Sequence, residues 1–171
     1  MGIKEYLKGS DASAEMAEEK FLTFWMGGQL FGIPIGDVVQ IIRMENITVI
    51  PEFPSYAKGV INLRGDIVPV IDIRLRFKKP AIEYTDRTCI IVATIRQKLV
   101  GFIVEAVVDV PDIPKKAISD PPTIAGDTAG SYMIGVARLE KDLVLLLETS
   151  KLVEEGELEE LEEAAKKRMG E

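Results

Sequence analysis

The sequence predicts a mainly β protein built as two small five-stranded barrels related by a pseudo-two-fold axis. Two repeats and one spacing rule carry that expectation. The block Gly59–Leu75 (GVINLRGDIVPVIDIRL) returns as Gly135–Leu152 (GVARLEKDLVLLLETSKL), and both fit G-V-x-x-L-x-x-D-x-V-x-x-[IL]-[DE] at an offset of seventy-six residues. Earlier in each half, Phe31-Gly32-Ile33-Pro34-Ile35 matches Val100-Gly101-Phe102-Ile103-Val104, and Val38-Val39 matches Val107-Val108, at an offset of sixty-nine. Short apolar runs are punctuated by turn signals roughly every 8–12 residues, a spacing that suits barrels or a sandwich better than βαβ units. A half of ~60 residues has a marginal core alone, so the two halves are expected to share one.

The elements follow in chain order. Residues 1–20 are polar and lack sustained periodicity, which predicts a flexible lead-in with a helical turn near Ala14–Lys20. Phe21–Met26 and Gln29–Ile33 form a hairpin around Gly27-Gly28, since primed two-residue turns need positive φ. Pro34 ends the second strand because it cannot donate to a ladder. In Ile35–Met44, the residues Ile35, Val38, Val39 and Ile42 fall at i, i+3, i+4 and i+7, which predicts a short helix. Its β-branched content makes a continuous strand the competing reading.

Next comes the hairpin Gly59–Leu63, Arg64-Gly65, Asp66–Asp72, followed by a polar connector over Lys78–Arg87. The second half restarts with Thr88–Ile95, a turn at Arg96-Gln97, and Lys98–Val104. The stretch Pro111–Ala129 holds four of the nine prolines and reads as irregular. Barrel material thus spans 21–153, in interleaved halves of roughly 21–80 and 87–153. In the tail, 154–171, Leu158, Leu161 and Ala165 keep helical spacing, with Glu162–Lys166 and Glu163–Lys167 as i,i+4 pairs. An exposed, partly formed acidic helix is expected there.

Charge and missing residue types narrow the function. The net charge is −7, yet residues 21–153 carry fifteen acids and fifteen bases, so all the acidity lies in the two ends. A balanced domain lacks the basic excess that phosphate binding needs. No apolar run approaches the ~18–20 residues of a membrane span, and the N-terminus has no secretory pattern. A cytoplasmic protein is expected. The sequence has no histidine, which removes histidine metal sites and Ser-His or Cys-His nucleophile activation. Its one cysteine, Cys89, lies in an apolar run and reads as a core residue. Asp66, Asp72, Asp142 and Glu148 recur with the repeat and read as strand-end and turn residues. No cofactor motif is present, and a protein-binding rather than catalytic role is expected.

These residues resemble a known family. Phe31-Gly32-Ile33 with Val38–Ile42, the block KGVINLRGDIVPVIDIR (Lys58–Arg74), VGFIVEAVVDV (Val100–Val110) and IGVARLEKDLVLLLETSKLV (Ile134–Val153) together look like the CheW family of chemotaxis coupling proteins. The resemblance implies two intertwined five-stranded barrels of SH3-like form and no catalytic activity. It implies a cytoplasmic adaptor, associated with receptor arrays at the membrane, that links transmembrane chemoreceptors to the histidine kinase CheA. Carried over by position, the receptor-binding residues are Val38, Gly59, Arg64 and Val110, and the kinase-binding residues are Ile41, Lys58 and Arg64. The family often places a glutamate where this chain has Gln40, so the resemblance leaves Arg64 to pair with Asp37, Glu45 or Glu52, or to remain available to a partner. The alternatives are a small-molecule-binding β-barrel and a CheW paralogue serving a non-flagellar receptor–kinase pathway.

Overall fold

The computed structural model describes residues 18–121 and 129–170. β1 (Glu18–Met26) and β2 (Gln29–Pro34) form the first hairpin. A 3-10 turn at Ile35–Asp37 leads into β3 (Val38–Arg43). β4 (Ala57–Leu63) and β5 (Asp66–Asp72) make the second hairpin, and the Asp72 carboxylate caps α1 (Ile73–Arg76) by accepting from the Arg74 and Leu75 amides. The second half opens with β6 (Cys89–Ile95), β7 (Lys98–Val104) and β8 (Ala106–Val107). Short β9 (Asp112–Pro114) and β10 (Ile118–Ser119) precede β11 (Met133–Leu139) and β12 (Asp142–Leu147). α2 (Thr149–Leu152) and α3 (Glu155–Arg168) end the chain.

The strands form two sheets, and neither belongs to one half of the sequence. One runs β3-β6-β7-β5-β4; the other runs β10-β11-β12-β2-β1-β8, with β9 also on β1. Each takes a hairpin from one half and a hairpin from the other, joined by a parallel pair. In the first sheet Val70 faces Gly101, and in the second Leu146 faces Gly32. Those pairs superpose at the offsets of seventy-six and sixty-nine read from the sequence. The two offsets exist because each repeat contributes its early strands to one barrel and its late hairpin to the other.

The packing follows the same symmetry. Ile61, Val68 and Val70 fill one barrel with Ile90, Val92 and Ile103. Their counterparts Ala137, Val144 and Leu146 fill the other with Phe21 and Leu30. The opposite strand faces carry Phe24, Phe31, Ile71, Ile91, Phe102 and Leu147 into one core shared by both barrels. Alternating strands can serve both cores because successive side chains point to opposite faces.

Four expectations are corrected. Ile35–Met44 is a 3-10 turn and a strand, not a helix: a register shift between Val38 and Gln40 places two valines in succession and imitates helical spacing. Burial then alternates along β3 as a strand requires. Glu18–Lys20 of the expected N-terminal helical turn extend β1 and pair with β9; the rest of that turn lies outside the described residues. Pro111–Ala129 is not wholly irregular, since β9 and β10 form within it, although residues 122–128 are outside the description.

The tail is the fourth correction. α3 is a 14-residue helix with a capping box between Glu154 and Glu157, and Leu158, Leu161 and Ala165 are buried. Leu158 and Leu161 join the shared core, while Ala165 packs with Ile50 and Val60. Burying a leucine side chain contributes about 1.5–3 kcal/mol, so the helix is held by packing. Glu162 pairs with Lys98 across the structure at 2.5 Å, in place of the expected i,i+4 partner.

Candidate docking surfaces

Two groups of sequence-predicted site residues occupy different parts of the fold. Val38 and Ile41 lie on β3, and Val110 follows β8. Each of these strands ends its sheet, with one strand neighbour. Along β3 the alternation turns Val38 and Ile42 inward and exposes Val39 and Ile41, at 51% and 44%. Beyond β8 the chain stays beside β1: the Val108 amide donates to the Thr23 carbonyl at 2.8 Å, and the Thr23 amide to the Asp109 carbonyl at 2.9 Å. The Thr23 hydroxyl also donates to the Asp109 carboxylate. That clamp leaves Val108 and Val110 exposed at 45% and 40%.

Val39 and Ile41 correspond to Val108 and Val110 at the sixty-nine-residue offset. The pseudo-two-fold therefore presents one exposed aliphatic pair on β3 and another on the segment that follows β8. Val39 and Val108 were absent from the sequence-derived set, yet the repeat itself marks them, since an aliphatic residue recurs at both positions. The two edges come near each other at Cys89. That residue is the register partner of Arg43 on β3, and its thiol bonds to the backbone of Val107 on β8. Cys89 is half-buried rather than a full core residue, and burial raises its pKa.

Lys58, Gly59 and Arg64 lie along the second hairpin. Gly59 is buried, with φ +147°, beneath the segment that follows β3. A Cβ there would stand 2.1 Å from the Thr48 carbonyl oxygen and 2.8 Å from Ile47 Cγ2. The close approach exists because Thr48 and Val60 exchange two backbone hydrogen bonds, at 2.8 and 2.9 Å. Lys58, next to it, is half-buried.

At the far end of the hairpin, Arg64 (φ 54°) and Gly65 (φ 92°) form the tight turn, which the Asn62 side chain ties by accepting from the Gly65 amide. Arg64 is exposed, and among the described residues it makes no ion pair. None of the candidate acids Asp37, Glu45 and Glu52 pairs with it; Asp37 instead accepts a hydrogen bond from the Thr149 hydroxyl at 2.8 Å. The guanidinium faces solvent with its donors free for another molecule.

Arg76 on α1 pairs with Glu157 on α3 at 2.6 Å and stacks over the Tyr56 ring, 4.2 Å from its centroid. Burial works against the Glu157 carboxylate, but the Arg76 hydrogen bond and the Glu154 amide hold its pKa below the usual range. Burial, then the Glu157 charge, pushes the Tyr56 phenol up to about 12.

A cleft of about 250 Å³ opens between the Gly65, Ile67 and Pro69 side of the hairpin and Ala165 and Lys166 of α3 with Met169 just beyond it. Its polar groups, Asp66, Glu162 and Lys166, do not form a buried convergent set. Among the described residues no group of acidic, histidine or cysteine side chains could hold a metal ion, and no helix is long and apolar enough to cross a membrane.

The CheW-like domain model matches residues 20–157. The chain is 33% identical over 157 residues to a chemotaxis protein CheW of Klebsiella aerogenes, covering 92% of this chain and 95% of the relative. It is 28% identical over 145 residues to the protein FrzA of Myxococcus xanthus, covering 84% and 90%. Among solved structures, the scaffolding protein TtCheW from Thermoanaerobacter tengcongensis superposes with a TM-score of 0.74 at 33% identity, covering 81% of this chain and 94% of that one.

Proposed function

The chain belongs to the CheW family, and from that premise we propose that it is a non-catalytic adaptor coupling transmembrane chemoreceptors to the regulatory domain of the histidine kinase CheA. In this reading it works in the cytoplasm, at receptor arrays on the membrane. The observation that carries the reading is the exposed aliphatic set on β3 and on the segment that follows β8, Val39 and Ile41 with Val108 and Val110. Exposed apolar side chains on an otherwise charge-balanced domain favour a partner held by shape and apolar contact. The receptor's cytoplasmic tip is assigned to these edges; of the family-derived positions Val110 is exposed there, while Val38, turned inward on β3, and Gly59, buried on β4, would act by holding the neighbouring backbone in place.

The kinase domain is assigned to the second hairpin through Lys58 and Arg64, with Ile41 on β3 as the third family-derived position. Arg64 has its guanidinium unengaged, so it can offer a charge-assisted hydrogen bond without first breaking one. Adaptation to two partners needs no reacting group, only surfaces that stay in fixed relation to each other. The test is binding of the purified chain to a CheA regulatory domain and to a receptor signalling fragment. Arg64→Glu is expected to weaken kinase capture by about tenfold or more, the scale of a lost charge-assisted contact, with an unchanged circular dichroism spectrum. Wild-type affinity for both partners in that variant would refute the role of Arg64, and failure of the wild type to bind either would refute the adaptor reading.

A further inference from the structure

Arg76 occupies a place that neither barrel needs for its own core. Its guanidinium carbon is 4.2 Å from the Tyr56 ring centroid and 5.6 Å from that of Tyr132. The two tyrosines are counterparts at the seventy-six-residue offset, and their surroundings match. The Tyr56 carbonyl accepts from the Asp72 amide at 2.9 Å, and the Tyr132 carbonyl accepts from the Glu148 amide at 2.8 Å. One cation therefore sits between equivalent points of the two barrels, near the pseudo-two-fold axis. The symmetry is broken at the cation itself, whose counterpart is Leu152.

The contacts spread from there in two directions. Arg76 pairs with Glu157 at 2.6 Å, and the second Glu157 oxygen accepts from the Tyr56 hydroxyl at 3.1 Å, which joins α3 to the cluster. On the same short helix, Arg74 donates to Glu105 at 3.0 Å; Glu105 also accepts from the Gly27 amide and immediately precedes β8. Aromatic rings continue from Tyr132 to Phe77, Phe31 and Phe24, at centroid spacings of 5.3, 5.6 and 6.0 Å. Phe24 is the register partner of Val107 on β8. The packed chain thus runs from α3 to the edge that carries Val108 and Val110.

Burial opposes the charge on Arg76, and the pairing with Glu157 offsets it. Arg76 is 11% exposed, and its Nε is buried with no hydrogen-bond partner. Replacing a buried ion pair by apolar residues is often neutral or stabilising, and the best-attested reason to keep one is to fix a register between packed parts. We propose that Arg76 is a positioning residue, setting the relative orientation of the two barrels and through it the spacing of the β3 and β8 edges. The consequence for docking rests on the adaptor reading above, because that reading places one partner on residues from both barrels.

The experiment compares wild type with Arg76→Met, which keeps reach and packing without the charge, and Arg76→Lys, which keeps the charge without the planar stacking. Spin labels at Asp66→Cys and Asp142→Cys, in a Cys89→Ala background, report the distance between the two hairpin turns. Wild type is expected to give one narrow distance distribution, Arg76→Met a broadened or displaced one, and Arg76→Lys a distribution in between. Affinity for a receptor signalling fragment, measured where every variant is fully folded, is expected to fall about tenfold in Arg76→Met, within the usual range of coupling between sites, while the thermal midpoint falls because the Glu157 carboxylate is left without its cation. Should Arg76→Met fail to fold, Glu157→Gln gives the same comparison with the cation still in place. An unchanged distance distribution, or affinity lost only in proportion to stability, would overturn the proposal. Absence of receptor binding by the wild type would instead refute the adaptor reading, and the distance measurement would still decide the role of Arg76.

Discussion

Gly59→Ala offers the sharpest test of how the second hairpin is held. The added Cβ would lie 2.1 Å from the Thr48 carbonyl oxygen, far inside contact distance, and that atom is backbone. Relief requires Thr48 to move away from β4, which breaks the two hydrogen bonds it exchanges with Val60. Each is worth about 1 kcal/mol net, and a non-glycine residue at φ +147° adds about 1–2 kcal/mol of backbone strain. The sum is a loss of about 3–4 kcal/mol. In urea, with a slope of about 2 kcal/mol/M, the unfolding midpoint should fall by about 1.5–2 M. The matched Gly135→Ala is an internal control: its Cβ would lie 2.5 Å from the Ser119 carbonyl oxygen, without the positive φ. Its loss should be smaller, about 2 kcal/mol, because the strain contribution is missing. A midpoint for Gly59→Ala within about 0.3 M of wild type, corresponding to under 1 kcal/mol, would refute the close-approach account. Partner binding lost by Gly59 variants is then expected to follow displacement of Ile47 and Thr48, since the glycine itself is buried.

Three other outcomes are expected. Ending the chain after Val153 removes the helix that covers Val60 and withdraws Leu158 and Leu161 from the shared core; stability should fall by about 3 kcal/mol or more, and a full-length thermal midpoint would contradict the packing. Tyr56 has a folded pKa of about 12 against an ordinary 10.0, so its contribution is complete below the unfolded value and is lost as pH rises through the folded one. The urea midpoint should therefore drop between those two values, less steeply in Tyr56→Phe; equal slopes in the two proteins would remove Tyr56 from the account. Val39→Lys and Val108→Lys, both on exposed edges, should leave the stability measured in urea within about 0.5 kcal/mol of wild type while weakening receptor capture in a pull-down, and undiminished capture would move the receptor surface elsewhere.

The barrel pairing was legible because duplication wrote it twice. Two offsets in one chain are unreadable as a simple tandem repeat, yet they are what strand exchange between barrels produces: Val70–Gly101 and Leu146–Gly32 are one parallel contact seen in both sheets. Gly27-Gly28 and Arg64-Gly65 announced their turns through positive φ. β3 was obscured because its bulge mimics helical spacing. α3 was read as exposed because two leucines and an alanine make a thin apolar stripe, and nothing local says that Ile50 and Val60 wait beneath it. The engaged state of Asp37 was also invisible, since its partner Thr149 lies more than a hundred residues away.

The departures from symmetry say where the two halves took on separate tasks. Val60 and Ile67 on the β4–β5 hairpin correspond to Val136 and Leu143 on the β11–β12 hairpin. Val60 is fully buried beside α3 whereas Val136 is half-buried, and Ile67 is half-buried whereas Leu143 is 42% exposed. The connector that follows α1 occupies the chain position that α3 occupies after α2, and it builds no helix. The β4–β5 hairpin is therefore the reinforced one: clamped at Gly59 by Thr48, packed against α3 at Val60 and Ile67, and ended by a turn whose arginine makes no ion pair among the described residues. Its counterpart turn carries Glu140 and Lys141 instead. A rigid support beneath a free cation reduces the ordering cost of using that cation in a complex. Covering Val60 without engaging Arg64 fits a hairpin whose body is structural and whose tip is for binding, and the mutants at Gly59 and Arg64 should separate accordingly, the first in stability and the second in affinity.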